Sequence, residues 1–340
     1  MQIALYDPEL GYYSGPASPV GKAADFVTSP SLSPVFSFAL GMLIREFLSR
    51  TGDVVSQIVD IGCGDGTLIS NLRTDVGRAS ARQDGDGLKP VPHFFGIERS
   101  DSLADLPSAD ARLVISNELL DAQPFARLVQ RGSELHELTV VERDGGLDWG
   151  ERPAGEEYVN YFAERGIELD DGQFADVSLD WASLYADICG MVPRGLIVTF
   201  DYGFPQETLF RSRLRRYGTA AAYAGQRVSR DLLANPGRQD LTAHINFTDL
   251  IRAGERAGFS TLFFDRQAKF LLSLGITEHE LFKPIDEVRA ESLAAGVDLL
   301  DRRDEARRLV LPDGIGEDIR VLVQGKGVPA EGWMFQRKLF

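Results

Sequence analysis

Between residues 35 and 47 the apolar side chains recur at helical spacing: Val35, Phe36, Phe38, Ala39, Leu40, Met42, Leu43 and Phe47, with Ser33 and Pro34 ahead of them as a helix start. The period then shortens. Gln57-Ile58-Val59-Asp60-Ile61 reads as a buried strand, Gly62-Cys63-Gly64-Asp65-Gly66-Thr67 as a loop, and Leu68 to Leu72 as the opening of a helix. Phe94 to Glu98 is a second strand that ends in a carboxylate, and Leu113 to Ser116 a third that ends at Asn117-Glu118-Leu119-Leu120-Asp121. Leu135 to Val141 and Leu147 to Trp149, parted by Gly145-Gly146, predict a hairpin. Residues 156 to 190 read as mainly helical, and Gly195 to Gly203 restores the strand-to-loop pattern. Phe247 to Ala257 predicts a helix, Phe259 to Phe264 and Ile319 to Gln324 predict strands, and Gly332 to Phe335 a further short one.

Strands separated by helical segments predict an α/β fold with a mostly parallel central sheet covered on both faces. Two stretches break that rhythm. Tyr6 to Pro34, rich in Gly, Pro, Ser and aromatics, reads as an ordered loop or clamp; residues 205 to 247 read as an insertion over one end of the sheet. With 44% hydrophobic residues in 340, the chain has the material for a large core. Its 36 Lys and Arg against 51 Asp and Glu leave a charge of −15, which argues against general nucleic-acid binding. Two cysteines, Cys63 and Cys189, are too few for a disulfide framework and fit a reducing compartment. No apolar run reaches about 18 residues, so no membrane span is expected. The first residues show no secretory signal, and a cytoplasmic location is the default expectation. The four His, at 93, 136, 244 and 279, show no ligand spacing, so no metal site is expected.

In an open parallel sheet, ligands bind beyond the carboxyl ends of the strands. Here the first such end carries Gly62, Gly64 and Gly66, spaced G-x-G-x-G rather than the G-x-G-x-x-G of nicotinamide sites. Asp60 lies just before that loop, where its charge disfavours a pyrophosphate and favours a sulfonium or ammonium centre. Glu98, at the end of the next strand, can accept two hydrogen bonds from a ribose diol. The combination points to S-adenosylmethionine, a cation with a ribose and no phosphate. The plainer readings are a tight turn for the glycines, a solvated strand end for Glu98 and a small filler for Cys63.

Several blocks carry a resemblance to a known family. They are Leu5 to Tyr13, Asp25 to Pro30, the glycine loop through Leu68, Ile97-Glu98, Ser116-Asn117-Glu118-Leu119-Leu120-Asp121-Ala122-Gln123-Pro124, Phe200 to Phe204, Pro236 to Phe247 and Gln267 to Ile276. In that order they resemble the MidA/NDUFAF7 family of class I S-adenosylmethionine-dependent methyltransferases, complex I assembly factor-like proteins. The resemblance implies a Rossmann-like core, a substrate-covering region, S-adenosylmethionine as cofactor and a protein arginine as methyl acceptor. It places Gly62, Gly64 and Gly66 against the cofactor, Glu98 on its ribose, and Asn117, Glu118 and Asp121 on the loop facing the methyl group. The expected organisation is 1–50 clamp and helix, 51–204 Rossmann-like cofactor-binding core, 205–247 substrate-covering insertion and 248–340 completion of the core.

Departures from the family pattern are specific. Ala24-Asp25-Phe26 replaces Gly-Asp-Phe, Ser29-Pro30-Ser31 replaces Ser-Pro-Glu, Gln123 stands in Asp121-Ala122-Gln123-Pro124 where the family has Leu, and Gln226 stands where a His is common. Only 18 residues separate Glu98 from Asn117, too few for the family's helix and edge strand, which predicts an adenine pocket built differently.

Glu118 is the expected clamp for a guanidinium and Asp121 the second contact. If Asn117 opens a helical turn, both face one pocket; otherwise both cap the following helix. Tyr202 is a candidate orienting phenol, and His244 could orient substrate, accept a proton or make a structural bond. Tyr12, Tyr13 and Phe26 are expected to cover the cofactor or a substrate peptide. A protein substrate is the expected partner, and the oligomeric state stays open, a homodimer included. Two alternatives stand beside this reading: a methyltransferase for a small molecule or another protein side chain, and a non-catalytic assembly or chaperone module that keeps the fold.

Overall fold

Because its strands alternate with helices, the chain can bury a sheet on both faces, and it does so around β1. The computed structural model describes residues 1–14, 28–29, 33–52, 54–80, 92–98, 101, 105–225, 227–284 and 293–338. The chain begins the main sheet with β1 (Ser56–Ile61), β2 (His93–Ile97) and β3 (Ala111–Asn117). It leaves for a second sheet made by β4 (Ala126–Arg131), β5 (Glu134–Arg143), β6 (Gly146–Pro153) and β7 (Phe174–Val177). It returns with β8 (Gly195–Phe204), then forms a small third sheet from β9 (Ala221–Ala224), β10 (Arg227–Ser229) and β11 (Asp240–Thr242). Finally β12 (Ile245–Asn246), β13 (Ser260–Arg266) and β14 (Ile319–Lys326) complete the main sheet.

The main sheet is ordered β13-β14-β8-β3-β1-β2, with β12 extending along β8. β2, β1, β3 and β8 run parallel, and β14 is antiparallel to both β8 and β13. Side chains of successive residues point to opposite faces. Ile58, Leu113, Ile115, Leu196 and Val198 therefore enter one core, with Leu40, Leu43 and Phe47 of the helix Pro34–Thr51. Val59, Val114 and Ile197 enter the other, with Trp181 and Tyr185 of the helix Asp180–Gly190 and Leu250 of the helix Phe247–Arg256. β1 is buried at every position, as a central parallel strand must be. Ser33 caps its helix as the sequence suggests, its side chain accepting from the Val35 N–H (3.4 Å).

No strand follows β2 before β3 among the described residues, so β2 pairs with β1 alone. The short connection is held from beneath by Arg112. Its guanidinium donates to Gln57 Oε1 (2.8 Å), to Pro107 O (2.6 Å) and to Met191 O, and Gln57 Nε2 also donates to Pro107 O (3.0 Å). One buried cation thus satisfies carbonyls from the connection before β3 and from the turn before β8.

Residues 156–190 are mainly helical as expected, with β7 separating the helices Glu156–Arg165 and Asp180–Gly190. Two expectations change. The span 332–335 forms no strand; it leads into the 3-10 turn Met334–Gln336, where Phe335 and Trp333 fill the core. The stretch 126–177, which the sequence groups with the core, folds as the antiparallel sheet β6-β5-β4-β7 with its own cluster around Leu128, Phe162 and Phe210.

That outlying sheet is locked to the region before β9 by Asp176. Its carboxylate receives Arg127 Nη1 (3.3 Å) and the N–H groups of Thr219 (2.6 Å) and Ala220 (2.8 Å). Replacing Asp176 with Ala would leave two buried main-chain donors unpaired and Arg127 with the Tyr217 carbonyl but no acid, so we expect a loss of about 3 kcal/mol in urea unfolding. A loss below about 1 kcal/mol would mean that water replaces the lost acceptor.

Candidate active site

The carboxyl ends of β1, β2, β3 and β8 lie side by side, and the sequence-predicted residues fall into two adjacent groups there. The first surrounds the glycine loop. Gly62, Gly64 and Gly66 all have positive φ (+71°, +57° and +72°), a conformation that L side chains rarely adopt. A Cβ on Gly64 or Gly66 would meet nothing within 4 Å, so the backbone there is open to a ligand. Gly62 differs: a Cβ would press on Leu119 Cδ1 at 2.9 Å. The turn after β3 therefore packs directly on the loop after β1. Exposed Glu98 ends β2, accepts a hydrogen bond from the Gly64 N–H, and donates its own N–H to Asp101 Oδ2 (2.8 Å). Asp60 is buried beneath them. Cys63 is wedged against Gly96, where a Cβ would come within 2.9 Å of its Sγ.

The second group is a nest of acids. Asn117 ends β3, and Glu118 has φ +52°, a strained value for a side-chain-bearing residue. Asn117 Nδ2 donates to Glu118 Oε1 (2.9 Å), and the Ser29 N–H also reaches Glu118. Residues 118–123 form a turn, not a helix, and β4 follows at Ala126, so the helical spacing and the helix-capping roles expected of Glu118 and Asp121 do not apply. The two acids converge because of the strained turn. Buried Asp121 hydrogen-bonds through its side chain to Asp201 at the end region of β8. Asp201 accepts the N–H groups of Leu120 (2.9 Å) and Tyr202 (2.9 Å). Asp240 completes the nest and takes the Tyr13 hydroxyl (2.8 Å). Asn117 Oδ1 and Asp121 Oδ1 are buried acceptors with no partner among the described residues.

Aromatic rings wall this nest. Tyr202 stacks on His244 with centroids 6.3 Å apart, and Phe204 lies 5.6 Å from the same imidazole. Tyr6 stacks on Tyr13 at 5.3 Å and donates to Ala122 O (2.9 Å). The clamp residues Tyr12 and Tyr13 thus reach the acids through Tyr13, while Phe26, Asp25 and Gln226 lie outside the described residues. Asp201, Asp240, Tyr223 and Ser29 were not singled out from the sequence as site residues. Asp201, Asp240 and Ser29 sit inside the quoted family blocks, and Tyr223, which feels the charges of Asp121, Asp240 and Glu118, ends the Thr-x-x-x-Tyr pattern that precedes Gln226, so each carries a signal in the sequence.

Residues 89–264 match the model of a family described as putative S-adenosyl-L-methionine-dependent methyltransferases. This chain belongs to that family. A structure of a Burkholderia thailandensis protein bound to S-adenosyl-homocysteine superposes with a TM-score of 0.82 at 27% identity, covering 99% of this chain and 89% of that one. A native structure from the same organism gives a TM-score of 0.78 at 25% identity, covering 98% and 87%. Among curated relatives, the mitochondrial protein arginine methyltransferase NDUFAF7 of Xenopus tropicalis is 26% identical over 319 residues, 81% of this chain and 71% of the relative. The NDUFAF7 homolog of Caenorhabditis elegans is 24% identical over 328 residues, 83% and 72%.

The chain is an S-adenosylmethionine-dependent methyltransferase with a Rossmann-like class I fold, and S-adenosylmethionine is its cofactor. The glycine loop fits that ligand: its backbone is open at Gly64 and Gly66, and the carboxylate of Glu98 stands beside it. The electrostatics of the methyltransferase also suit a cation. Burial and the neighbouring Glu98 charge raise Asp60 to about 7. Burial raises Glu118 to about 8 against the hydrogen bond from Asn117, with Asp201 and Asp240 adding to the rise. Burial raises Asp201 to about 7 and holds Asp121 well above its ordinary value, with Asp201, Glu118 and Asp240 repelling its charge. The main-chain donors that Asp201 accepts favour its carboxylate form, which biases the shared proton towards Asp121. His244 is pushed down to about 4 by burial and by Arg215, Arg230 and Arg320, and is neutral at pH 7. Burial, Glu98 and Asp60 push the Cys63 thiol up to about 12, which keeps it unreactive.

These shifts set a pH dependence. Asp60, Glu118 and Asp201 hold protons more tightly folded than at their ordinary values of 3.8, 4.5 and 3.8. The associated stability is full below those values and is lost as pH rises through about 7 to 8. Without cofactor, the melting temperature should therefore fall between about pH 4 and pH 8 and then level off. Glu118→Gln, which cannot ionise, should flatten the upper part of that fall; a curve parallel to wild type would refute the enclosed carboxyl.

Proposed function

We propose that this methyltransferase transfers a methyl group to an arginine guanidinium of a protein. The observation that carries the reading is the acid nest beside the glycine loop, where the buried acceptors Asn117 Oδ1 and Asp121 Oδ1 have no donor among the described residues. A planar guanidinium offers several N–H donors and one positive charge, which together answer both deficits. The names of the relatives, protein arginine methyltransferases, agree with it.

When bound, S-adenosylmethionine supplies an electrophilic methyl carbon on a sulfonium. The glycine loop and Glu98 would hold that ligand, Glu98 taking its ribose diol, with Asp60 adding negative charge from beneath. Glu118 and Asn117 hold the guanidinium, with Asp121, Asp201 and Asp240 setting the negative field around it. A bound guanidinium pulls Glu118 down from about 8 and ionises it. As the guanidinium nitrogen takes the methyl carbon, one N–H proton passes to the Glu118 carboxylate. The methylated guanidinium keeps its single positive charge. Tyr202 and neutral His244 form a wall that orients the acceptor, and Tyr13, tied to Asp240, helps exclude water.

Two measurements test this. With labelled S-adenosylmethionine and protein extract, wild type should label arginine residues, and Glu118→Gln should lower the rate by about a hundredfold or more. In calorimetry, Glu118→Gln should bind cofactor within about twofold of wild type, while Glu98→Ala should weaken it about tenfold or more. Label on another side chain or on a small molecule would replace arginine as the acceptor. Cofactor binding without transfer to any acceptor would favour the assembly-module reading.

A further inference from the structure

In a chain of net charge −15, residues 211–216 hold four arginines and no acid. One of them, Arg215, turns towards the active site and meets two arginines from elsewhere in the chain. Its guanidinium lies 3.7 Å from the centroid of Phe204, and that of Arg320, on β14, lies 4.9 Å from the same ring. Phe204 is the ring beside His244, at the wall of the acid nest. Arg230 reaches the same place from the insertion: it donates to Ala220 O (2.8 Å), next to Thr219, whose hydroxyl accepts the His244 N–H (3.1 Å). All three guanidinium groups are close enough to His244 to disfavour its charge.

Three like charges drawn together need a counter-charge, and the described residues supply it only through space, Asp265, Glu317 and Asp318 to Arg320 and Asp176 to Arg230, with no direct ion pair. Among the described residues the hydrogen bonds of Arg215, Arg230 and Arg320 go to main-chain carbonyls: Thr208 O (3.5 Å), Ala220 O (2.8 Å), and Glu317 O (2.6 Å) with Ile319 O (3.4 Å). Glu317 is paired with Arg266 (2.6 Å), and Asp318, the acid nearest Arg320 in sequence, acts on Arg320 only through space. Among the described residues no carboxylate lies within 4.0 Å of any of the three. Carbonyl bonds leave most of each guanidinium fork unused, and such a fork is shaped for a carboxylate.

We propose that Arg215, Arg230 and Arg320 form a carboxylate-binding rim that holds an acidic side chain of the acceptor protein beside its target arginine. The inference rests on the arginine reading and narrows it to a substrate class: segments in which an Asp or Glu lies near the methylated residue. The site is then bipolar. The acid nest takes the cation, and the rim takes the neighbouring anion. A nucleic-acid phosphate has the right charge for the rim, but a polyanion must also pass the acids of the nest and a negative surface.

The rim can be tested without methyl transfer. A fluorescein-labelled oligoglutamate peptide is titrated with protein saturated in S-adenosyl-homocysteine, and anisotropy is read. Wild type should bind it in preference to an oligoglutamine peptide of equal length, and Arg215→Gln and Arg320→Gln should each weaken binding about tenfold. Arg230→Gln, an exposed position, serves as the third variant should either of those fail to fold, as judged by S-adenosyl-homocysteine calorimetry. The double variant Arg211→Gln/Arg213→Gln, away from the ring wall, should change binding less than about twofold. Equal binding by wild type and the rim variants, no binding by wild type, or tighter binding of a labelled oligouridylate would each overturn the rim. Such a failure leaves the arginine reading standing, because that reading is judged by which residue acquires the label.

Discussion

Asp201 lies near the end of β8 with its carboxylate accepting the N–H groups of Leu120 and Tyr202, and the side chain of Asp121 gives it a further hydrogen bond. Two buried acids in contact cannot both ionise, so this pair holds one proton and binds the turn after β3 to the strand beside it. Everything at the site follows from that tie. It keeps Glu118 at φ +52°, sets Leu119 against Gly62, and leaves Asp121 Oδ1 and Asn117 Oδ1 without partners among the described residues. The strain and the unpaired acceptors weaken the fold locally, and a cation bound there would relieve part of the cost.

The covering parts are attached by the same means, single acids that each satisfy several donors. Asp176 fastens the outlying sheet to Thr219 and Ala220. Asp249 collects the Tyr161 hydroxyl (2.7 Å), Arg165 Nε (2.7 Å) and Asn246 Nδ2 (3.1 Å), so that the helices Glu156–Arg165 and Phe247–Arg256 share one anchor. Asp240 joins the amino-terminal Tyr13 to β11. Apolar packing alone is non-directional; these bonds fix the orientation of the small sheets over the strand ends. They also bring charge to the rim, since Thr219 and Ala220 carry both the Asp176 lock and the contacts to His244 and Arg230.

Much of this was legible in the chain. The strand at 57–61, the glycine loop, the strand ending at Glu98 and the block beginning at Asn117 follow from local periodicity, because each is a short apolar run punctuated by glycine or acid. That no strand follows β2 before β3 among the described residues was legible as well, since 18 residues between Glu98 and Asn117 bound what can form there. Local pattern failed where a partner from a distant segment decides the outcome. β7 is a four-residue strand held by β4, and the 156–190 stretch around it reads as helix.

The sequence by itself determined the order of strands and helices, the glycine loop and the candidate acids Asp60, Glu98, Glu118 and Asp121, because these depend on spacing along the chain. Tertiary structure alone decided that Glu118 and Asp121 meet through a strained turn rather than a helix face. It also decided that Asp201 and Asp240 join them, and that Arg215, Arg230 and Arg320 gather around His244. Those groups lie tens to hundreds of residues apart. Their charges act through space, and only the folded sheet sets the distances and the burial on which that action depends.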